Sequence, residues 1–306
     1  MRVKENYIRD FLRLIVWFPF RWFFFLLPLN GSFLSFKLMG NLHYLFARTN
    51  RQRLIDRVSR NIGVSRGQAS GFVKKYFQLH YLDRLHIFLY PRLVLRNNLF
   101  DIVHIENIEM LTSLINHQQG VLIVQPHFGP VQMTLLTLSL YGFNPIQIGF
   151  PSDRGLSKIG RKIAFKYRLQ YEKKLPAPII SADGYLGKAY KHLLHGGIVL
   201  TTGDGAGGKV YLGEHKKYNF LENERNIPLG PASMAIKTGA TFLPTFIIPE
   251  KYNHLKIIFE TPIRPKYNDL ELDKVYMMEK FISIAEKYIE KYPYCWHFWD
   301  EVQDNK

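Results

Sequence analysis

The sequence predicts an α/β protein with a mixed, largely parallel central sheet flanked by helices, and with an apolar, membrane-associating helical segment at its N-terminus. Three observations support this fold class. From about Ile102 onward, short apolar runs alternate with helix-like segments, which implies crossover connections between parallel strands. A hydrophobic content of 47% in 306 residues suffices for one large core. The most aromatic stretch precedes this alternation.

The apolar stretch Phe11–Leu29 is close to the length of a bilayer span. Arg21 falls near its middle, where a charge costs about 2.5–3.5 kcal/mol on insertion, and Pro19 interrupts the helical hydrogen bonds. Aromatic rings beside cations suit the headgroup region. We therefore expect residues 1–50 to form a membrane-associating helical segment and residues 51–306 to form the α/β domain. Lying on the membrane, spanning it, and a buried hairpin remain open.

The rest of the chain divides into elements by periodicity. A helical pattern from Arg51 to about Tyr90 has a polar break at residues 63–67, and a basic helix runs through Arg161 and Arg168. The sequence predicts strands at 121–125, 145–150, 177–180, 197–202, 240–248 and 255–260, and helices at 130–142, 184–197, 228–239 and 273–291. Pro130 is expected in the first turn of its helix.

Composition narrows the function classes. The formal net charge of +16 favours anionic partners, but the basic residues are scattered and no nucleic-acid-binding signature is present. We expect a membrane surface rather than nucleic acid. Cys295 is the single cysteine, which excludes an intrachain disulfide and a cysteine zinc site. It is more simply a buried apolar residue than a nucleophile. No metal and no cofactor are expected.

His127 is the first candidate for chemistry. It follows the buried run at 121–125 and precedes the helix beginning near Pro130, so it lies at a strand–turn–helix corner, where side chains and backbone N–H groups are presented at a strand end. Gly129 permits close approach of substrate or backbone. A lone histidine beside an apolar segment is more often structural, and this corner is what favours catalysis.

A glycine-rich loop follows the strand at 197–202. It contains Asp204, Gly205, Gly207, Gly208 and Lys209. Its backbone can approach a ligand or an oxyanion, and it fits neither a Walker loop nor a dinucleotide fingerprint. A flexible turn between strands is the alternative.

Several blocks in order resemble the lipid A late acyltransferase family, within the wider group of glycerolipid and lysophospholipid acyltransferases. They are GVLIVQPHFG, the D-G-x-G-G-K-V-x-x-G loop, IPLGPASMAIKTGATFLP and the P-x-x-W tail at Pro293–Trp296. The resemblance implies an α/β enzyme on the cytoplasmic face of the bacterial inner membrane. Such enzymes transfer acyl chains from acyl carrier protein or coenzyme A to a hydroxyl. It leaves open whether the acceptor is lipid A-like, another glycolipid or a phospholipid.

The family signature H-x-x-x-x-D/E matches His127, but the acid position is occupied by Gln132. A glutamine can orient the imidazole and supplies no compensating charge; loss of that charge costs about 10⁴-fold in a serine-protease triad. Three interpretations remain open. Gln132 orients His127 sufficiently; another carboxylate replaces it, with Asp204 preferred over Asp183 and Glu224; or the site is degenerate and binds lipid without catalysis.

The resemblance implies that His127 deprotonates the acceptor hydroxyl, which attacks the thioester without an acyl-enzyme. Backbone N–H groups from residues 203–208 or 129–131 are candidate oxyanion donors. Phosphate contacts are expected from cationic side chains, for which a solvated basic face is an equal alternative; these are Arg154, Lys158, Arg161 and Lys209. A hydrolase that uses water, a non-catalytic lipid binder and a nucleic-acid binder are the rival functions.

Overall fold

The computed structural model of the chain describes residues 6–95, 99–149, 153, 155–205, 212–251 and 253–302. The strands of this part are β1 Val103–Glu106, β2 Val121–Gln125, β3 Ile146–Gly149, β4 Ile179–Ser181, β5 Ile198–Thr202, β6 His215–Phe220, β7 Asn223–Pro228, β8 Thr241–Lys251 and β9 His254–Phe259. They form a seven-stranded sheet in the order β1-β9-β8-β2-β5-β3-β4 and a separate antiparallel pair, β6–β7.

The strands β2, β3, β4, β5 and β8 of the large sheet are mutually parallel. Strand β9 runs antiparallel to β8, and β1 is parallel to β9. The fold prediction of an α/β protein with a mixed, largely parallel sheet flanked by helices is therefore confirmed. Six predicted strands correspond to β2, β3, β4, β5, β8 and β9, with bounds within three residues. The sequence did not predict β1 or the β6–β7 pair.

The helices cover both faces of this sheet. They are α1 Tyr7–Ile15, α2 Arg21–Leu26, α3 Leu29–Phe46, α4 Arg48–Ile62, α5 Arg66–Leu85, α6 Tyr90–Leu95, α7 Ile108–Asn116, α8 Gln132–Leu140, α9 Lys166–Glu172, α10 Gly187–Leu194, α11 Gly230–Thr238 and α12 Leu270–Lys291. Shorter π- and 3₁₀-helical turns lie at Val16–Phe20, His86–Leu89, Gly160–Phe165, Pro293–Cys295 and His297–Asp300. The helix predicted from Pro130 begins instead at Gln132, so Pro130 lies in the preceding turn.

The central strand β2 explains the apolar run in the sequence, because all of its residues are buried. Leu122 and Val124 pack on one face with the α12 side, while Val121 and Ile123 pack on the other with α8. Strands buried on both faces are continuously hydrophobic rather than alternating. The carboxyl end of β2 is thus held rigidly between two packed layers.

The N-terminal helices have a packed face and an exposed face. Phe24 and Phe36 are fully buried and contact each other at 4.8 Å between ring centroids, and Phe88 stacks on Phe24. Gly40 allows α3 to approach α5 closely, since a Cβ there would lie 2.4 Å from the Cα of Gln78. Among the described residues, no helix combines the length and apolarity needed to cross a membrane.

Candidate active site

Two neighbouring parallel strands bring His127 and Asp204 together. Gln125, the last residue of β2, pairs with Thr202, the last residue of β5, and the Gly203 N–H donates to the Gln125 carbonyl at 2.9 Å. Each candidate residue follows two positions after its strand ends. Equal spacing from a common register places both side chains at the carboxyl edge of the sheet, where sites in such folds lie.

The His127 imidazole and the Asp204 carboxylate are hydrogen-bonded directly. The distance from Nδ1 to Oδ1 is 2.7 Å, and the His127 backbone N–H donates to Oδ2 at 2.9 Å. Because an ionised carboxylate only accepts, Nδ1 carries a proton, and in the neutral imidazole Nε2 keeps its lone pair. The side chain of His127 is 24% exposed and that of Asp204 only 3%. The arrangement presents a basic nitrogen on a ring oriented by a buried anion.

The surroundings of Asp204 keep it ionised. Burial alone raises the pKa of this carboxyl, but the charge of His127, its two hydrogen bonds and the Arg225 guanidinium more than offset burial and hold the pKa below its usual value. The folded-state pKa therefore lies below the unfolded one. The pair stabilises the fold at pH values above the unfolded pKa, and this contribution is lost as the pH falls through the folded pKa.

Residues near the C-terminus complete the corner around His127. The His297 N–H donates to the His127 carbonyl at 2.9 Å, the Gly129 N–H donates to the Cys295 carbonyl at 2.8 Å, and the Phe298 ring lies 4.5 Å from the imidazole between centroids. Gly129 has φ +65°, and a Cβ there would lie 2.3 Å from the Ile247 carbonyl oxygen. The glycine is thus required by backbone packing.

Apart from the P-x-x-W match, the sequence alone predicts no site role for this tail. The indole N–H of Trp296 donates to Asp204 Oδ2 at 3.2 Å. The aromatic spacing of residues 294–299 was the available signal, and it does not reveal which strand end the rings cover. Cys295 is fully buried, and burial raises the pKa of its thiol well above the usual range, so it offers no nucleophile.

Gln132 belongs to a different network. Its Oε1 accepts from the Tyr90 hydroxyl at 2.7 Å, and its Nε2 donates to Glu172 Oε1 at 3.3 Å. Tyr90 also contacts His86 Nε2 at 2.8 Å, and Glu172 pairs with Arg168 at 2.6 Å. Neither hydrogen bond of Gln132 reaches His127. The geometry therefore favours the second of the three interpretations, in which Asp204 is the partner of the imidazole.

Replacing Gln132 with Glu is expected to destabilise the protein by about 2 kcal/mol or more, without increasing its activity. The new carboxylate would face the buried Glu172, and an unpaired or like-charged buried group is costly. Urea unfolding measures the loss, with Gln170→Glu, at an exposed position of α9, as the matched control. An unchanged unfolding midpoint together with faster acyl transfer would show that residue 132 serves His127 after all.

The remaining candidates are dispersed. Asp183 is exposed and hydrogen-bonded to Ser181 at the end of the edge strand β4, and Glu224 pairs with Lys217 on the β6–β7 hairpin. Lys158 and Arg161 are exposed on the segment that contacts α1. Gly205 follows Asp204 directly, with φ +96°. Arg154, Gly207, Gly208 and Lys209 lie outside the described residues.

The backbone N–H groups of residues 129–131, one of the two expected sets of oxyanion donors, are bonded within the protein. The N–H of Gly129 is occupied by Cys295, and that of Val131 donates to the Gly129 carbonyl at 3.0 Å. These groups already have protein acceptors, so residues 129–131 are poorly placed to stabilise an oxyanion. The leucines of α8 are packed in the core with β2, as expected of a core helix. No group of three or more His, Cys, Asp or Glu within the described ranges could hold a metal ion.

The profile of the family described as bacterial lipid A biosynthesis acyltransferase matches residues 11–300. The chain belongs to the bacterial lipid A biosynthesis acyltransferase family. The predicted family is thereby confirmed, and membership implies a lipid acceptor and an acyl donor. In this member of the lipid A acyltransferase family, the carboxylate that is hydrogen-bonded to His127 belongs to Asp204, 77 residues later in the chain. The acid position of the family signature is occupied by Gln132, which has no carboxylate.

Among solved structures, the 1-acyl-sn-glycerophosphate acyltransferase PlsC from Thermotoga maritima is similar, at 14% sequence identity. The similarity covers 85% of this chain and 97% of that chain, with a TM-score of 0.36. No curated protein matched the sequence.

Proposed function

We propose that this protein transfers a fatty acyl group from an acyl thioester, carried by acyl carrier protein or coenzyme A, to a hydroxyl of a lipid acceptor. The acceptor is lipid A-like or another glycolipid or phospholipid. The observation that carries the proposal is the His127–Asp204 hydrogen bond at the carboxyl edge of β2 and β5. Family membership supports the lipid acyltransferase class.

In the proposed reaction, His127 Nε2 takes the proton of the acceptor hydroxyl as the oxygen attacks the thioester carbonyl. The imidazolium that forms is stabilised by Asp204, which stays ionised. Collapse of the tetrahedral intermediate breaks the C–S bond, and the proton on Nε2 passes to the leaving thiolate. Atoms and protons balance without an acyl-enzyme, which agrees with the buried state of Cys295.

We assign oxyanion stabilisation to the loop that begins at Asp204, since the Gly203 N–H already donates to the Gln125 carbonyl. Gly205 has a positive φ of +96°, and successive backbone N–H groups that include a left-handed residue can converge on an anion. The alternative donors at Gly129 and Val131 are already bonded within the protein.

The direct test is a transfer assay. Purified, detergent-solubilised protein is incubated with labelled acyl carrier protein thioester or labelled acyl-coenzyme A, together with bacterial lipid extract. Label in a lipid product supports the proposal. Label released as free fatty acid identifies a hydrolase instead, and bound but unreacted acyl chain identifies a lipid-binding relative; either outcome contradicts it.

We also propose that the protein lies on the cytoplasmic face of the bacterial inner membrane. Support comes from the outer surface of the N-terminal helices, which exposes large apolar side chains. These include Phe11, Leu12, Trp22, Phe23, Phe25 and Leu26 on α1 and α2, and Leu34, Leu38, Leu42, Leu45 and Phe46 on α3. An exposed apolar area of this extent is unusual for a soluble monomer, and aromatic rings suit the interfacial region.

A basic surface adjoins this apolar one. Trp17 stacks on Tyr167 at 5.9 Å, and the Arg21 guanidinium lies 5.3 Å from the same ring. Residues 158–174 carry the exposed cations of this surface, which are Lys158, Arg161, Lys162, Lys166, Arg168, Lys173 and Lys174. Cations beside an interfacial apolar surface favour anionic lipid headgroups.

Replacing the exposed residues Trp22, Phe25 and Leu26 together with Ser is expected to reduce vesicle binding by at least about tenfold, since each loses insertable apolar area. Co-sedimentation with phosphatidylglycerol-containing vesicles measures it. The control replaces Tyr185, Leu194 and Leu272, which are also exposed but lie outside the N-terminal helices. Equal binding by both triple variants would contradict the proposed surface.

A further inference from the structure

The carboxylate of Asp204 has a second buried hydrogen-bond donor besides His127. The indole Nε1–H of Trp296 donates to Oδ2 at 3.2 Å, and the His127 backbone N–H donates to the same oxygen at 2.9 Å. Oδ1 is thereby left to the imidazole Nδ1, at 2.7 Å. The two carboxylate oxygens therefore have different partners, which fixes the rotation of the carboxylate plane.

The indole itself has little freedom to move. Trp296 is fully buried, and its ring packs edge-on against Phe220 at 5.5 Å and against Trp299 at 5.0 Å between centroids. The Arg225 guanidinium lies 5.0 Å from the ring centroid. A side chain enclosed in this way holds its N–H in one direction, which preorganises the group that accepts from it.

The backbone around Trp296 is joined to the corner that carries the imidazole. Phe128 and Trp296 form an antiparallel bridge, flanked by the hydrogen bonds from Gly129 to Cys295 and from His297 to His127. The segment thus contacts the histidine through its backbone and the aspartate through its indole.

We propose that Trp296 is a positioning residue of the active site, whose indole N–H fixes the Asp204 carboxylate so that its other oxygen holds the His127 ring as the Nδ1–H tautomer. The role rests on the proposed function, since it acts on the general base of that reaction. Trp296 touches no reacting atom. It keeps Nε2 unprotonated and aimed outward, which is the state that the proposed reaction requires.

The chain offers a matched control for this role. Trp299 is as deeply buried as Trp296 and lies in the same aromatic segment, but its indole N–H donates to the Pro293 carbonyl at 2.6 Å rather than to Asp204. Changing either tryptophan to Phe removes one N–H and a similar apolar volume. Only Trp296→Phe removes a donor to the site.

We expect Trp296→Phe to lower kcat about tenfold with little change in KM, since a charge-assisted hydrogen bond is lost from the orienting anion. Trp299→Phe keeps an aromatic ring beside Trp296, so we expect it to change kcat by less than about twofold. Without the donor, the carboxylate attracts the imidazolium more strongly. The acid limb of the kcat/KM profile should therefore move to higher pH by about half a unit in Trp296→Phe alone. Equal losses of kcat in both variants, with the acid limb of each kcat/KM profile unchanged, would mean that Trp296 only supports the fold.

A readout that needs no turnover separates this proposal from the proposed function. The ¹H–¹⁵N resonance of the Trp296 indole is expected to shift in Asp204→Asn, while that of Trp299 stays in place. The kinetic cost of Trp296→Phe should also largely vanish in the Asp204→Asn background, because coupled residues are not additive. A shifted indole signal in a protein without transfer activity would retain the positioning contact and reject the function. An unshifted signal would overturn the contact whatever the activity.

Discussion

Asp204→Asn is expected to lower kcat by about 10³–10⁴-fold while leaving the fold intact. Two fixed donors, the His127 backbone N–H and the Trp296 indole, point at Oδ2. The asparagine oxygen must occupy that position, so its NH₂ group faces His127 Nδ1. That nitrogen then has to accept, the ring proton moves to Nε2, and the base is lost. The equivalent change in a serine-protease triad costs about 10⁴-fold for the same reason.

Steady-state transfer assays measure the loss, and ¹⁵N chemical shifts of the imidazole report the tautomer. Asp183→Asn makes the same chemical change at the end of another strand, where the carboxylate is exposed and bonds Ser181. It should alter kcat by less than about twofold. Near-normal activity of Asp204→Asn, with Nδ1 still protonated, would remove Asp204 from the mechanism.

His127→Ala is expected to abolish measurable transfer, a loss of about 10⁴-fold or more, because it removes the base itself. The imidazole is partly exposed, so the cavity left behind opens toward solvent, and added imidazole should restore part of the activity. No such rescue is expected for Asp204→Asn, whose base is present in the wrong protonation state.

The control for this substitution is His195→Ala, at an exposed histidine whose ring Nδ1 contacts the Lys191 carbonyl. Combining His127→Ala with Asp204→Asn should cost little more than the first change alone, since the two residues act as a unit. Additive losses, or transfer that survives His127→Ala, would mean that the reaction does not use this histidine.

Much of the fold could be predicted because its signals are local. A continuous apolar run such as that of β2 predicts a buried strand, and the alternation of such runs with helices implies parallel strands joined by crossover connections. Direction in the sheet is not local: β1 and β9 oppose the other strands, and periodicity gives no sense of direction. The short β6–β7 pair has polar, exposed positions, so it lacks the apolar run that identifies a strand.

The candidate site could likewise be predicted only where its signals are local in the sequence. His127 and Asp204 could be related because each directly follows a predicted strand, and parallel neighbours end at the same edge. The partners of Gln132 could not be predicted, since Tyr90 and Glu172 lie 42 and 40 residues away on helices whose rotation depends on core packing. Trp296 was visible as a family match, while its contact with Asp204 spans 92 residues.

The N-terminal helices have one buried and one exposed apolar face, and this limits how a water-soluble form of the protein can be made. Phe24 and Phe36, which fill the core, alternate along the same helices with the side chains that face outward, and Gly40 seats α3 directly on α5. Cutting these helices away would leave the rings of Phe77 and Phe88 uncovered, so a shortened protein would tend to aggregate. A water-soluble form is better sought by exchanging only the outward residues for polar ones, which leaves the interior complete.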